Sequence, residues 1–194
     1  MRIAIFGGTF DPIHNAHLTV AREAVEKFHL DKVLFVTAGN PPHKEEPVTP
    51  YELRHRMVEL ACEGEPRFEP SRLDAVGRSY SIHTIEKVKA RLRPEDQLFF
   101  LIGADAFAEI QSWYRAEDVI RSVEFIVAAR PGHTYSVPPG ARVHRLDTVA
   151  FPVSSSGIRR KLAAREPVPE LPPKVYEFIL EHGLYQDQPS PKSH

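Results

Sequence analysis

Short apolar runs at Arg2–Phe6, Val33–Val36, Gln97–Ile102 and Glu124–Ala129 read as buried strands, the first ended abruptly by Gly7 and Gly8 and the third by Gly103. Between these runs, apolar residues recur at three- and four-residue steps instead. Leu18, Ala21, Val25 and Phe28 form one such stripe, with Arg22, Glu23, Glu26 and Lys27 on the opposite face. Leu53, Met57, Leu60 and Ala61 form a second, and Ile82, Ile85, Val88 and Leu92 form a third within Ser81–Leu92. Thr49, Pro50 and Glu52 predict where the second helix begins: threonine caps, proline suits the first turn, and glutamate three positions on completes a capping box. Further along, Arg142–Leu146 and Val149–Val153 read as strands and Ser155–Ala164 as a helix. A proline-rich turn, Pro167–Pro173, leads into a last helix built on Val175, Phe178, Ile179 and Leu180.

Alternation of strand and helix predicts an α/β fold, a doubly wound and mostly parallel sheet with helices on both faces and ligands beyond the carboxyl ends of the strands. Residues 1–185 are expected to form a single domain with a small C-terminal helical part at about 154–185, followed by a flexible tail at 186–194. Ala38–Pro50 carries four prolines and one glycine and is expected to be an exposed irregular loop. The 194 residues suffice for a sizeable core, and 42% hydrophobic with 26% charged residues is an ordinary composition for a soluble protein. With 25 Lys and Arg against 26 Asp and Glu, a net charge of −1 argues against a polyanion-binding protein, so no nucleic-acid partner is expected. No apolar run reaches membrane-crossing length. The single cysteine, Cys62, excludes an internal disulfide framework and a cysteine-built zinc site, and fits a cytoplasmic protein. Cys62 itself reads as a small packing residue.

Two stretches carry chemistry. Residues 7–17, GGTFDPIHNAH, place two glycines, an Asp-Pro turn and the pair His14 and His17 between the first strand and the first helix. Glycine lets a ligand approach the backbone, and free amides at a helix start favour an anion. Histidines three apart share one helical face, from which both imidazoles could donate to phosphoryl oxygens. The run lacks the lysine of a P-loop and the three glycines of a dinucleotide turn. A routine strand-to-helix turn with capping histidines is the competing reading. Three ligands for a metal are not in view. The second stretch, Val153–Leu162, brings serines and a glycine into a helix bearing Arg159, Arg160 and Lys161. Serine hydroxyls, free amides and a guanidinium one turn in suit a pyrophosphate, and a serine-capped helix with a solvated basic face is the alternative.

GGTFDPIHNAH resembles the HxGH signature of adenylyl-transferring nucleotidyltransferases, most closely that of the bacterial nicotinate-nucleotide adenylyltransferases. Ala16 stands where that family usually has glycine. Ser155, Ser156, Ile158 and Arg159 match its second phosphate motif, with Ser156 in place of threonine, and Pro41, Pro42, His43 and Lys44 match a proline-stiffened lysine loop. Ser79–Thr84 resembles the stretch whose backbone contacts the nicotinate group, with His83 where aspartate is frequent. Gly103 and Asp105, then Trp113 and Tyr114, match residues that hold the mononucleotide, the indole against its ring.

The resemblance implies a Rossmann-like nucleotidyltransferase fold and an enzyme of NAD biosynthesis that moves AMP from ATP to nicotinate mononucleotide, giving deamido-NAD and pyrophosphate. Catalysis would rest on His14, His17, Lys44 and Arg159. ATP would be bound by Gly7, Gly8, Thr9, Phe10, His14, His17, Ser155, Ser156, Ile158 and Arg159. The mononucleotide would be bound by Lys44, Ser81, Ile82, Thr84, Asp105, Trp113 and Tyr114. Mg²⁺ would ride on ATP rather than on a dedicated protein site. Small molecules are thus the expected partners, with a homo-oligomer left open. Phosphopantetheine or nicotinamide mononucleotide as acceptor, and a nucleotide sensor that transfers nothing, are the rival readings.

Overall fold

The structure, a computed structural model, describes residues 1–42, 46–150 and 153–186. Six strands form one all-parallel sheet: β1 (Arg2–Gly8), β2 (Lys32–Thr37), β3 (Phe68–Ser71), β4 (Gln97–Gly103), β5 (Glu124–Ala129) and β6 (Arg142–Asp147). Their spatial order is β3-β2-β1-β4-β5-β6, so the chain crosses from β3 to β4, and the neighbours β1 and β4 send their following connections in opposite directions. That is a topological switch point, where the crevice beyond the strand ends receives ligands. The helices are α1 (Asn15–Phe28), α2 (Tyr51–Cys62), α3 (Ser81–Lys89), α4 (Ala104–Ala108), α5 (Ala116–Ser122), α6 (Ser155–Ala163) and α7 (Pro173–Glu181), with a 3-10 turn at Ile110–Ser112.

Successive strand residues point to opposite faces, and the core divides accordingly. Ala4, Phe35, Phe99, Leu101 and Ile126 face α1, α2, α6 and α7. Ile3, Ile5, Leu34, Phe100 and Val127 face α3, α4 and α5. Val175 and Ile179 of α7 and Tyr185 beyond it lie in the first cluster, so the C-terminal helices share a core with the sheet. No helix among the described residues is long and apolar enough to cross a membrane.

Several expectations are corrected. β1 runs through Gly7 and Gly8, because both glycines pair with Val36 and Thr37 of β2. β3 was not expected; only Phe68 of its four residues is buried, and Pro70 is tolerated at a sheet edge. α4 and α5 are likewise additional, each too short for a full amphipathic repeat. The strand expected at Val149–Val153 is not seen among the described residues 149, 150 and 153: Thr148 closes the ladder by donating to Ala129 O, and Val149 stands 81% exposed. α3 stops at Lys89 rather than Leu92, although Leu92 still packs on the core. Leu180 of α7 faces outward, since Val175 and Ile179 fill the buried stripe.

α2 departs most. Its N-cap is Pro50, and no side chain caps it; Glu52 pairs with Arg72 at 2.9 Å instead of closing a capping box. The helix is also rotated from the expected stripe, with Arg54, His55 and Val58 buried beside Met57 and Ala61, while Leu53 and Leu60 are only half-buried. The His43–Glu45 stretch of the proline-rich loop and the tail from residue 187 lie outside the described residues.

Candidate active site

Two cavities of ≈ 320 and ≈ 400 Å³ open beyond the carboxyl end of β1, and Phe6, Gly7, Gly8 and Thr9 line both. Volumes of this order suit small-molecule ligands. The smaller cavity is largely apolar and reaches between β1 and β4, with Phe100–Gly103, Tyr80, Ser81, Trp113 and Tyr114 in its walls. The larger is polar, with Phe10, Asp11, His17, Ser155 and Arg159. The shared partition is thin because it is made of glycine: a Cβ on Gly7 would meet nothing, whereas one on Gly8 would come within 3.0 Å of the Phe10 ring. Thr9 Oγ1 is buried in this partition with no hydrogen-bond partner among the described residues. An orphaned hydroxyl at a cavity wall is a donor in search of an acceptor.

His17 lies in the first turn of α1, half-buried, and its Nδ1 accepts from the His14 backbone N–H at 3.1 Å. That bond leaves the proton of the neutral ring on Nε2, so the far nitrogen donates. His14 does not line either cavity. It is 3% exposed, stacked on the His17 ring with centroids 3.7 Å apart, and burial lowers its pKa from 6.5 to about 4, against the opposing pull of Glu170. The two imidazoles therefore do not point side by side into one space as the spacing predicts; a neutral His14 backs His17 instead.

Arg159 reaches across from α6 to the same cavity, and its Nη1 donates to Asp11 O at 2.9 Å. Ser155 Oγ donates to Pro12 O at 2.9 Å, which uses its only proton and fastens the start of α6 to the turn before α1. The two distant stretches thus meet, as the sequence predicts, although α6 does not directly follow a strand. Ser156 is exposed, near the N-cap Ser154, and Ile158 is buried in the core; neither lines a cavity.

On the apolar side, Trp113 sits edge-on to Phe100 at 6.0 Å, and Tyr114 lies over Tyr80 at 4.4 Å. Ser81 opens α3 at the cavity wall, whereas Ile82 turns into the core and Thr84 donates to Asp74 Oδ1 at 2.6 Å. Asp105 is exposed in the first turn of α4 and is not among the lining residues. Lys44 lies outside the described residues. Burial pushes the Cys62 thiol up to about 12, which keeps it protonated as a packing residue.

Sequence reasoning missed the buried polar groups beneath the site. Asp11 accepts from Val48 N at 2.8 Å through Oδ2 and from the Tyr185 hydroxyl through Oδ1. Arg54 is 1% exposed, and its hydrogen bonds go to backbone carbonyls. Its one sequence signal is a charged side chain three and four positions before Met57 and Val58, on the stripe that proves to be the inner face. Among the described residues, no group of three or more His, Cys, Asp or Glu side chains could hold a metal ion.

Residues 5–161 match the family described as Cytidylyltransferase-like. A Solibacter usitatus protein named "Probable nicotinate-nucleotide adenylyltransferase" is 57% identical over 188 residues, covering 95% of this chain and 100% of that protein. One of the same name from Thermus thermophilus is 43% identical, covering 96% and 100%. A solved structure of Plasmodium falciparum nicotinic acid mononucleotide adenylyltransferase complexed with NaAD superposes with a TM-score of 0.78 at 21% identity, over 95% of this chain and 97% of that one, a likeness of fold.

Proposed function

This chain belongs to the cytidylyltransferase-like family and, within it, to the nicotinate-nucleotide adenylyltransferases, and from that premise we infer that it transfers the adenylyl group of ATP to nicotinate mononucleotide. The products are deamido-NAD and pyrophosphate. The observation that carries this reading onto the geometry is the partition of Phe6–Thr9, which walls an aromatic chamber on one side and a phosphate-suited chamber on the other.

The mononucleotide phosphate is already a nucleophile, so no side chain need form a covalent intermediate. Its oxygen attacks the α-phosphorus of ATP, the bond from that phosphorus to the bridging oxygen breaks, and pyrophosphate leaves with the electron pair. The protein aligns the two phosphates across the partition and stabilises the charge that moves to the bridge. His17 donates from Nε2 to an α-phosphate oxygen. Arg159, with one nitrogen held by Asp11 O, offers the rest of its fork to the leaving phosphates. Ser155 positions α6, and Thr9 Oγ1 supplies a further neutral donor. Trp113 and Tyr114 wall the space for the pyridine ring. Hydroxyl, imidazole and guanidinium suit phosphate oxygens, so Mg²⁺ would be held by the triphosphate itself and would neutralise its charge. A cytoplasmic location accords with a single, unpaired Cys62.

The test measures pyrophosphate release from ATP alone, with nicotinate mononucleotide, and with nicotinamide mononucleotide. Release that depends on nicotinate mononucleotide, with the dinucleotide formed in equal amount, is the expected result. ATP binding with no release in any arm would make the protein a sensor and end the reading.

A further inference from the structure

Among the described residues, the largest fully buried side chain is a cation, Arg54, at 1% exposure. A buried guanidinium must have its donors satisfied, and backbone carbonyls rather than a carboxylate do so here. Nε donates to Thr49 O at 2.8 Å. Nη1 donates to Thr9 O at 2.7 Å and to Ala38 O at 2.7 Å, and Nη2 reaches Gly39 O at 3.5 Å. The acceptors belong to three separate segments: the turn after β1, the loop after β2, and the approach to α2. Thr9 stands in the partition between the chambers, and Ala38 lines the aromatic one. The neighbouring charge is Asp11, itself occupied by Tyr185 and Val48 N.

We propose that Arg54 is a positioning residue for adenylyl transfer, a fork that holds the phosphate-side turn at Thr9 and the acceptor-side loop at Ala38–Gly39 in one fixed relation. This rests on the function inferred above. Four donors in a planar fork fix direction as well as distance, which an ammonium on a flexible stem cannot reproduce. Arg54 touches neither substrate; it acts through the backbone that does. Loss of the fork lets the two loops move independently, so both substrates suffer together, and a misplacement of about 1 Å between reacting groups can cost about a hundredfold.

The experiment compares the full-length parent with Arg54→Lys and Arg54→Met, the second removing the buried charge while filling similar volume. Folded fraction is fixed by circular dichroism and thermal unfolding, KM for each substrate and kcat are measured on the folded enzyme, and amide exchange is followed in residues 7–11 and 38–40. Expected are a roughly hundredfold fall in kcat/KM for both variants, a rise in both KM values together, and faster exchange confined to those two segments. Unchanged KM values with activity tracking folded fraction would overturn the proposal, and so would unchanged exchange in both segments. Failure of both variants to fold would also overturn it, because Arg54 would then serve the fold rather than the loops. A parent that exchanges slowly in these segments but releases no pyrophosphate would refute the adenylyl-transfer reading instead, and with it Arg54's part in that reaction.

Discussion

At the scale of single residues, the two histidines of the first motif separate into different tasks. In the proposed reaction His17 donates toward the phosphate chamber, and His17→Ala is expected to lower turnover by about 10²–10³-fold, the loss typical for one transition-state donor; initial-rate assays at saturating substrates check it. His14 is held neutral, its pKa lowered to about 4. Below pH 6.5 the unfolded chain takes up a proton there that the folded chain refuses until about pH 4. Stability therefore declines as pH falls through that window and the loss levels off below it. His14→Asn keeps a capping side chain and lacks this dependence. The stability of the parent relative to that variant should shrink between pH 7 and 4 by at most on the order of 3 kcal/mol, read from urea unfolding at each pH. The sequence placed both histidines at the helix start correctly, but three-residue spacing cannot tell a ring that faces a ligand from one stacked behind it. The same holds for Ser156, Ile158 and Thr84, whose types suit the motif while their side chains point to solvent, core and Asp74.

Among elements, the periodic ones were legible and the aperiodic ones were not. β1, β2, β4 and β5 are continuous apolar runs because both faces of a parallel sheet are covered. β3 and β6 sit at the edges, where polar residues and Pro70 are tolerated; the signal is lost in β3, whereas β6 is still read at Arg142–Leu146. α2 misled for a different reason: its buried face includes a cation and an imidazole, and His55 Nδ1 lies 3.0 Å from Thr37 Oγ1 rather than against apolar neighbours. Loop crossings leave no periodic trace at all. Gly39 donates to Asp74 O at 3.0 Å, and a Cβ on Gly39 would sit 2.5 Å from that same oxygen. Both partners there are backbone, so neither can swing aside. Gly39→Ala should cost about 1–3 kcal/mol, as overpacking does, and raise the mononucleotide KM, because Ala38 and Asp74 line the aromatic chamber. Thermal unfolding and initial rates measure both effects; a variant as stable as its parent would contradict the crossing.

For the whole molecule, the fold class follows from the order of elements, whereas the strand order and the return of Tyr185 to the first motif do not, since they depend on contacts far apart in sequence. Tyr185 closes the chain onto Asp11, 174 residues earlier, at the base of the phosphate chamber. Tyr185→Phe leaves that carboxylate buried with one donor fewer and should cost about 1–3 kcal/mol in global stability, seen as a lower urea midpoint at unchanged slope.

The central place of β1 has a consequence for how such a protein can change its habits. Ser81 and Trp113 wall the aromatic chamber alone, while Ser155 and Arg159 wall only the other. Appetite for a different acceptor can therefore drift at the outer rim, one substitution at a time, without disturbing the handling of the triphosphate. The glycine-built divider is less free on one side: successive strand residues face opposite rooms, and a Cβ on Gly8 would press on the Phe10 ring at 3.0 Å, whereas one on Gly7 would meet nothing.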